Sequence, residues 1–362
     1  MRRVAGLITL GLGAFLLVLG LGVKFVVGPK LIKDPLTPPE KYSVIIAGGE
    51  NFSLLDSSTL DNKNVIIRVT RTIQGDVAAG NNDVAVWDES LCLTVDDGTH
   101  PGCVPRSDPR SVLVQTDRIA FDRTTSLAVN DPQYHANVDG KPTEHEGLGY
   151  KFPIGTKKTT YPFFDTIVRK AFPMKYTSEE KIDGLPVYKF VQTITDQPVY
   201  TSNVLPSLYS NVRTVWVEPR TGVIIDGQED LDQRLTGRET LDPNSPVTAS
   251  ALAGKTALKG RLKFDDPTVA NQAQLARDNI PKLKLLQTVI PLVGIIGGVV
   301  LSVIGIVLLA TGRKGPGDEA PAETATLPQS DAPPQHLVPP EPVMGVPVGG
   351  FPSGDAQPPP TS

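Results

Sequence analysis

The chain has 362 residues, 35 of them Lys or Arg and 39 Asp or Glu, for a formal net charge of −4. That balance excludes the strongly basic footprint of a nucleic-acid binder. With two apolar segments and a tail set aside, roughly 255 residues remain, enough for one large domain or two small ones with a real core.

The first apolar segment, Val4–Val23, follows Met1-Arg2-Arg3 and has the length of about 20 uncharged residues that a bilayer-crossing helix needs. Gly6, Gly13 and Gly20 recur along it at every seventh position. Seven residues are nearly two helical turns, so these glycines share one face and form a seam without side chains. The exit, Gly22-Val23-Lys24-Phe25-Val26-Val27-Gly28, has no small-residue cleavage site, so residues 1–27 read as a signal anchor.

Residues 28–284 read as an extracytoplasmic, mainly β domain between two transmembrane α-helices, with candidate halves 42–140 and 146–262. Val65–Ile73 is β-branched with partial alternation; similar runs are Val84–Trp87, Leu91–Val95, Ser111–Gln115, Arg118–Phe121, Val187–Ile194, Val212–Val217 and Gly222–Ile225. Turn signals such as Gly80-Asn81-Asn82, Asp183-Gly184 and Pro219-Arg220-Thr221-Gly222 separate them. The halves share a weak likeness: Val84-Ala-Val-Trp87 resembles Thr214-Val-Trp216, and an Asp-Gly follows each. Two stretches read as helix, one near Phe163–Phe172 and one over 267–286, where Pro281 should kink the helix or mark its approach to the membrane.

The chain's two cysteines, Cys92 and Cys103, flank the turn signals Asp97-Gly98 and Pro101-Gly102. A lone close pair around a hairpin reads as a disulfide formed in an oxidising space. The rival readings are free thiols or half a metal site with His100, and no second Cys/His pair stands at ligand spacing.

The second apolar segment, Val289–Ala310 within a membrane helix assigned to 285–312, precedes Gly312-Arg313-Lys314. Gly298, Gly305 and Gly312 repeat the seven-residue spacing, and Gly294, Gly298 and Ser302 add a small-xxx-small stripe. The two helices are expected to pack on each other. Counted alone, the basic residues near the spans favour placing the loop in the cytoplasm; long loops translocate largely regardless of charge, so the short termini are expected there instead. The tail, 313–362, has 13 prolines and no Lys or Arg after Lys314, so it reads as a disordered, Pro-rich cytoplasmic segment.

No catalytic signature stands out: there is no G-x-S-x-G, H-E-x-x-H, Walker loop or G-x-G-x-x-G ahead of a helix. Glu144-His145-Glu146 lies among glycines and prolines and reads as a solvated loop. Asp96-Asp97 and Asp265-Asp266 adjoin turn residues, where Asp serves local hydrogen bonding. No catalytic residue, metal ligand or cofactor is assigned. The aromatic residues bunch instead. Tyr150, Phe152, Tyr161, Phe163, Phe164 and Phe172, followed by Tyr188 and Phe190, read as either a domain core or the wall of a ligand cavity, and the two readings overlap.

The run Glu146-Gly-Leu-Gly-Tyr150-Lys-Phe-Pro-Ile-Gly-Thr-Lys-Lys-Thr-Thr-Tyr161-Pro-Phe-Phe-Asp165, with Glu180-Lys-Ile-Asp-Gly184-Leu-Pro-Val-Tyr188-Lys-Phe190 and Trp216-Val-Glu-Pro-Arg-Thr-Gly222, resembles the actinobacterial PorA-type family. The resemblance covers most of Met1–Ala310 and leaves out the tail. It implies a two-span envelope protein of mycolic-acid bacteria and carries no catalytic residues across. A link to lipid or lipoglycan assembly is also implied. A porin needs a closed barrel with strands of about ten residues facing lipid, and these charged strands do not read that way. The expected function is therefore a non-enzymatic, plasma-membrane-anchored protein that binds or hands on a lipid or lipid-linked glycan. The alternative is a scaffold for envelope biosynthetic enzymes. A porin or an enzyme is the less favoured expectation.

Overall fold

A computed structural model describes residues 2–42, 44–56, 59–99, 102–201, 205–237 and 252–311. The predicted tail, Gly312 and His100 lie outside them. The chain is mainly β, as expected. Twelve strands form a single antiparallel sheet: β1 (Val44–Leu55), β2 (Asn62–Gly75), β3 (Val84–Val95), β4 (Ser111–Asp122), β5 (Asn137–Val138), β6 (Lys141–Pro142), β7 (Tyr161–Asp165), β8 (Lys170–Ile182), β9 (Leu185–Tyr200), β10 (Pro206–Glu218), β11 (Val223–Leu235) and β12 (Thr256–Phe264). Their order is β6-β5-β4-β3-β2-β1-β12-β11-β10-β9-β8-β7, so each long strand pairs with its neighbour in sequence and the last closes on the first.

The sheet curls until its two ends meet. Leu148 bridges both, pairing with Leu127 after β4 and with Phe163 on β7. Gln115 on β4 and Thr166 after β7 exchange two further hydrogen bonds, of 3.4 and 2.8 Å. The interior is lined by alternate residues of the strands, as a curled sheet requires. Phe52 shows how the close packing arises. It is fully buried beyond a register break in β1, and a Cβ on Gly260 would lie 2.6 Å from its ring. The apolar run Ile67, Val69, Leu93, Ile194, Leu231 and Leu262 continues the same core.

Three sequence expectations change here. Phe163–Phe172 is a β-hairpin and no helix. Asp165 Oδ1 accepts from the backbone N–H groups of Ile167 and Val168, and Arg169 sits at φ 58°, so the chain reverses at once. His145 is buried, and the loop around it is not simply solvated. The two tryptophans also lie at different points, Trp87 near the start of β3 and Trp216 near the end of β10, and Asp226-Gly227 falls inside β11 whereas Asp97-Gly98 is in a turn.

The flanking helices are α1 (Arg2–Gly22), α2 (Asp266–Lys284) and α3 (Ile290–Thr311). Asp265 caps α2 by accepting from Thr268 N at 2.9 Å. Ala273 and Ala276 of α2 pack on Leu185, Val187 and Ile225 of the sheet. Pro281 does not end the helix. A π-helical turn, Leu285–Val289, follows it, and the helix runs on into α3.

α1 and α3 lie antiparallel, Gly6 against Leu308 and Leu309, Gly20 against Gly294 and Ile295. The buried residues of α1 are Gly6, Gly13 and Gly20; those of α3 are Pro291, Gly298 and Gly305. The other faces expose Leu, Val, Ile and Phe. Both helical regions, Arg2–Val27 and Asp266–Thr311, are long and apolar enough to cross a membrane. A strap after α1 fixes it to the sheet. Asp34 is buried, accepts from Ser126 Oγ at 2.8 Å and pairs with Lys151, while Trp87 Nε1 donates to Leu36 O at 2.9 Å.

Cys92 and Cys103 form a disulfide, with Cα atoms 5.4 Å apart. Closing a loop of about ten residues should contribute roughly 2–3 kcal/mol. Thiol labelling of the unreduced, denatured protein should therefore find neither cysteine, and reduction should lower the melting temperature. Full labelling without reductant would refute the bridge in the protein as produced.

Candidate functional site

The curled sheet encloses a cavity of about 520 Å³. Its size is that of a small-molecule pocket. At the end far from the helices its walls are Leu54, Leu93, Leu113, Ile167, Leu205 and Leu258. Toward the helix end the inward positions turn polar: Arg71, Glu89, Asp117, Tyr150, Arg213 and Glu229. Tyr150 comes from the loop between β6 and β7; the other five occupy the inward phase of their strands. Arg71 lies between buried Val69 and Ile73, Asp117 between buried Gln115 and Ile119.

Strand register builds two unlike halves of this polar floor. On one side Arg213 faces Glu229 across β11 and Gln192 across β9. Its guanidinium donates to Glu229 Oε1 at 2.9 Å, Gln192 Oε1 at 3.0 Å and Asp165 Oδ2 at 3.1 Å, and stands 5.7 Å from the Phe163 ring centre. Asn211 Nδ2 donates to Glu229 Oε2 at 2.8 Å. The network is buried, Asp165 and Gln192 completely. Burial would raise the Glu229 carboxyl, but the charge and hydrogen bonds of Arg213 prevail and hold it below its ordinary value. Burial raises Asp165, with Arg213 opposing. Burial also pushes the Tyr150 and Tyr209 hydroxyls well above theirs.

On the other side Glu89 faces Asp117 directly, a carboxylate opposite a carboxylate. Asp117 is fully engaged: its Oδ1 lies 2.7 Å from His145 Nε2, and its Oδ2 accepts from Tyr150 Oη at 2.6 Å. Glu89 has Arg71 as an ion-pair partner at 2.5 Å, but its Oε1 has no hydrogen bond of good geometry. Burial raises its carboxyl, Arg71 opposing.

The aromatic residues singled out from the sequence divide. Tyr150, Phe163 and Phe164 line the cavity. Phe152 and Phe190 form a fully buried cluster with Phe163, on which Tyr161 and Tyr188 pack. Phe172 packs instead against the main core. Sequence reasoning missed the charged floor. Its signal was a charge on the apolar phase of an alternating strand, at Arg71, Glu89, Asp117, Arg213 and Glu229. Among the described residues no three His, Cys, Asp or Glu side chains gather as a metal site.

The family model for Porin PorA matches residues 5–307, which takes in both apolar helices and every strand. The chain belongs to the Porin PorA family. Two similar proteins bear the name Porin PorA. One, from Corynebacterium resistens, is 26% identical, with 58% of this chain matched to 70% of its length. The other, from Corynebacterium amycolatum, is 27% identical, with 53% of this chain matched to 64% of its length. These findings overturn the expected lipid or lipid-linked-glycan carrier, and they lend the scaffold alternative no support. The objection to a porin rested on the charged strands. The structure divides those charges: Lys175, Glu179, Arg234, Lys259, Arg261 and Lys263 are exposed on the outside of the curled sheet, while Arg71, Glu89, Asp117, Arg213 and Glu229 lie inside it on the cavity floor. The family places the chain among membrane proteins.

Proposed function

We propose that this chain is a non-catalytic, channel-forming membrane protein. The observation that carries the reading is the match of the porin family model across both apolar helices and the whole sheet. α1 and α3 are its membrane part. The sheet stands in water, because Lys175, Glu179, Arg234, Lys259, Arg261 and Lys263 are exposed on its surface, where a lipid-facing barrel needs an apolar band. Two helices in contact along their length enclose no lumen, so the path across the bilayer is formed by several copies of the α1–α3 pair. The sheet and its charged floor then form a vestibule to that path.

The Cys92–Cys103 bridge supports an oxidising, extracytoplasmic location for the sheet, with the N-terminus cytoplasmic. A reporter active only outside the cytoplasm should be active when fused after Gly140 and silent after Gly315. The reverse pattern would refute this orientation. The channel reading itself is tested by solute release. Liposomes carrying the full chain should leak a small trapped ion and retain a large trapped dextran. Retention of both would count against it.

A further inference from the structure

The outer face of β11, β12, β1 and β2 carries a ladder of charges that breaks at one rung. Lys259 stands opposite Asp232 and pairs with it at 3.1 Å, and Arg261 stands opposite Asp230 and pairs with it. The next rung sets Lys263 opposite Gln228, so the acid is missing there. The charge of Lys263 acts on the Asp226 carboxyl without an ion pair between them, and Asp226 Oδ1 accepts from Gly227 N at 2.8 Å. On its other side Lys263 faces Gly48 of β1, and Gly48 faces Arg68 of β2. Arg68 points outward, between the inward Ile67 and Val69. Its Nε is buried without a hydrogen-bond acceptor, and among the described residues no carboxylate pairs with its guanidinium. A buried donor in that condition costs free energy until an acceptor reaches it. Beyond it Thr94 of β3 is buried under the loop that the Cys92–Cys103 bridge closes, its Oγ1 donating to Gly102 O at 3.5 Å. Apart from the chain neighbours of Gly48, only Ile67 O, at 3.4 Å, lies within 4 Å of where its Cβ would be, so the space above that glycine is open. Two strand spacings, about 10 Å, separate the backbones at Arg68 and Lys263, a span that their side chains close on one small anion.

We propose that Arg68 and Lys263 form a binding site for one tetrahedral oxyanion, a phosphate or sulfate group, seated over Gly48. Arg68 presents its Nε–H and an Nη–H as a fork that matches two oxygens of such a group. Lys263 supplies the second positive charge. Arg68 lies seven residues before Gly75 on β2, and Gly75 packs on the strap at Leu36 and Thr37. At about 3.4 Å per residue that is roughly 24 Å of strand. The phosphates of the bilayer that holds α1 and α3 are therefore out of reach, and the group belongs to a molecule in solution. The site does not depend on the channel reading, since binding is measured without any conductance.

The test uses the full chain in phosphatidylcholine nanodiscs at physiological salt, with monofluorophosphate as the probe. Fluorine NMR titration, referenced to empty nanodiscs, gives the affinity. Binding should saturate, and inorganic phosphate should displace the probe. Arg68→Gln should weaken binding about tenfold or more, the range for a hydrogen bond to a charged group. It should leave the melting temperature unchanged or raised, because the arginine has no partner to lose. Lys263→Gln should weaken binding by a smaller factor. Gly48→Thr keeps both charges but fills the gap, so it should abolish binding. Lys259→Gln removes the same unit of charge from a cation already paired with Asp232 and should change nothing. Nanodiscs that include phosphatidylglycerol should give the same affinity, and displacement of the probe by that lipid would contradict a solution ligand. No saturable binding, binding that survives Arg68→Gln, or an equal loss in Lys259→Gln would each overturn the proposal, the last by showing diffuse surface charge. If Arg68→Gln fails to fold, Gly48→Thr and Lys259→Gln still decide between a seated anion and diffuse charge.

Discussion

Arg213→Met is expected to lower the free energy of unfolding by about 3–5 kcal/mol, the cost of removing one partner from a buried ion network. The methionine replaces the volume of the arginine stem but leaves Asp165, Glu229 and Gln192 facing an empty position. Asp165 is wholly buried. It keeps its backbone donors at Ile167 and Val168, but its charge is then uncompensated. Denaturant unfolding followed by tryptophan fluorescence measures the loss. The dependence on pH sharpens the test. In the native chain Glu229 is held below its ordinary value, so its contribution is present above that value and lost on acidification through the lowered one. Without Arg213 the remaining influence on both carboxyls is mainly burial, which raises them. The folded variant then takes up protons before its unfolded chain does, so its stability rises as pH falls through the window just above the ordinary carboxyl values. Adding Asp165→Asn and Glu229→Gln should recover part of the loss at neutral pH. A single variant as stable as the parent would show that the network contributes little.

The second large effect is at the helix seam. A Cβ on Gly13 would lie 2.5 Å from Ser302 N, and one on Gly298 2.7 Å from Leu17 N, so the obstacle in each case is backbone that cannot swing aside. Gly13→Leu with Gly298→Leu should force α1 and α3 apart, at a cost of about 1–3 kcal/mol per overpacked site. Insertion should be unaffected, because leucine favours the membrane. Cysteines replacing Leu10 and Leu309 flank the contact of Gly6 and Gly305. A bismaleimide should join them readily in the parent and poorly in the double variant. Cysteines at the outward positions Leu12 and Ile306 should cross-link poorly in both. Equal cross-linking in parent and double variant would mean that the glycines do not set the approach of the helices.

The elements legible in the sequence were those whose signal is local. The two apolar helices have length and hydropathy, and Val65–Ile73 and Val187–Ile194 have β-branched runs. Single strands such as β3 and β4 were read as two pieces each, because Asp88, Glu89 and Asp117 interrupt their apolar residues. Glu89 and Asp117 belong to the charged floor, whereas Asp88 faces the other way and pairs with Arg118. A charge on the inward phase looks like a break until its partner on another strand is known, and Arg213 lies 48 residues from Asp165. β1 was hidden by Gly48-Gly49, although Gly49 belongs to the register break that seats Phe52. β12 alternates Leu258, Leu262 and Phe264 with Lys259, Arg261 and Lys263, and its basic residues masked the pattern. β7 and β8 were obscured because the aromatic spacing at Phe163, Phe164 and Phe172 fits a helix nearly as well as a hairpin. Asp165, which closes that turn through two backbone hydrogen bonds, was the available cue.

The central claim, that this chain forms channels, is tested most directly by single-channel recording across a planar lipid bilayer. The full chain, purified with its Cys92–Cys103 bridge intact, should give discrete conductance steps. A form ending before α3, after Lys284, should give none under the same conditions, because the membrane part is then a single helix. A bilayer that stays silent with the intact chain, or steps of equal size and frequency from the form lacking α3, would contradict it.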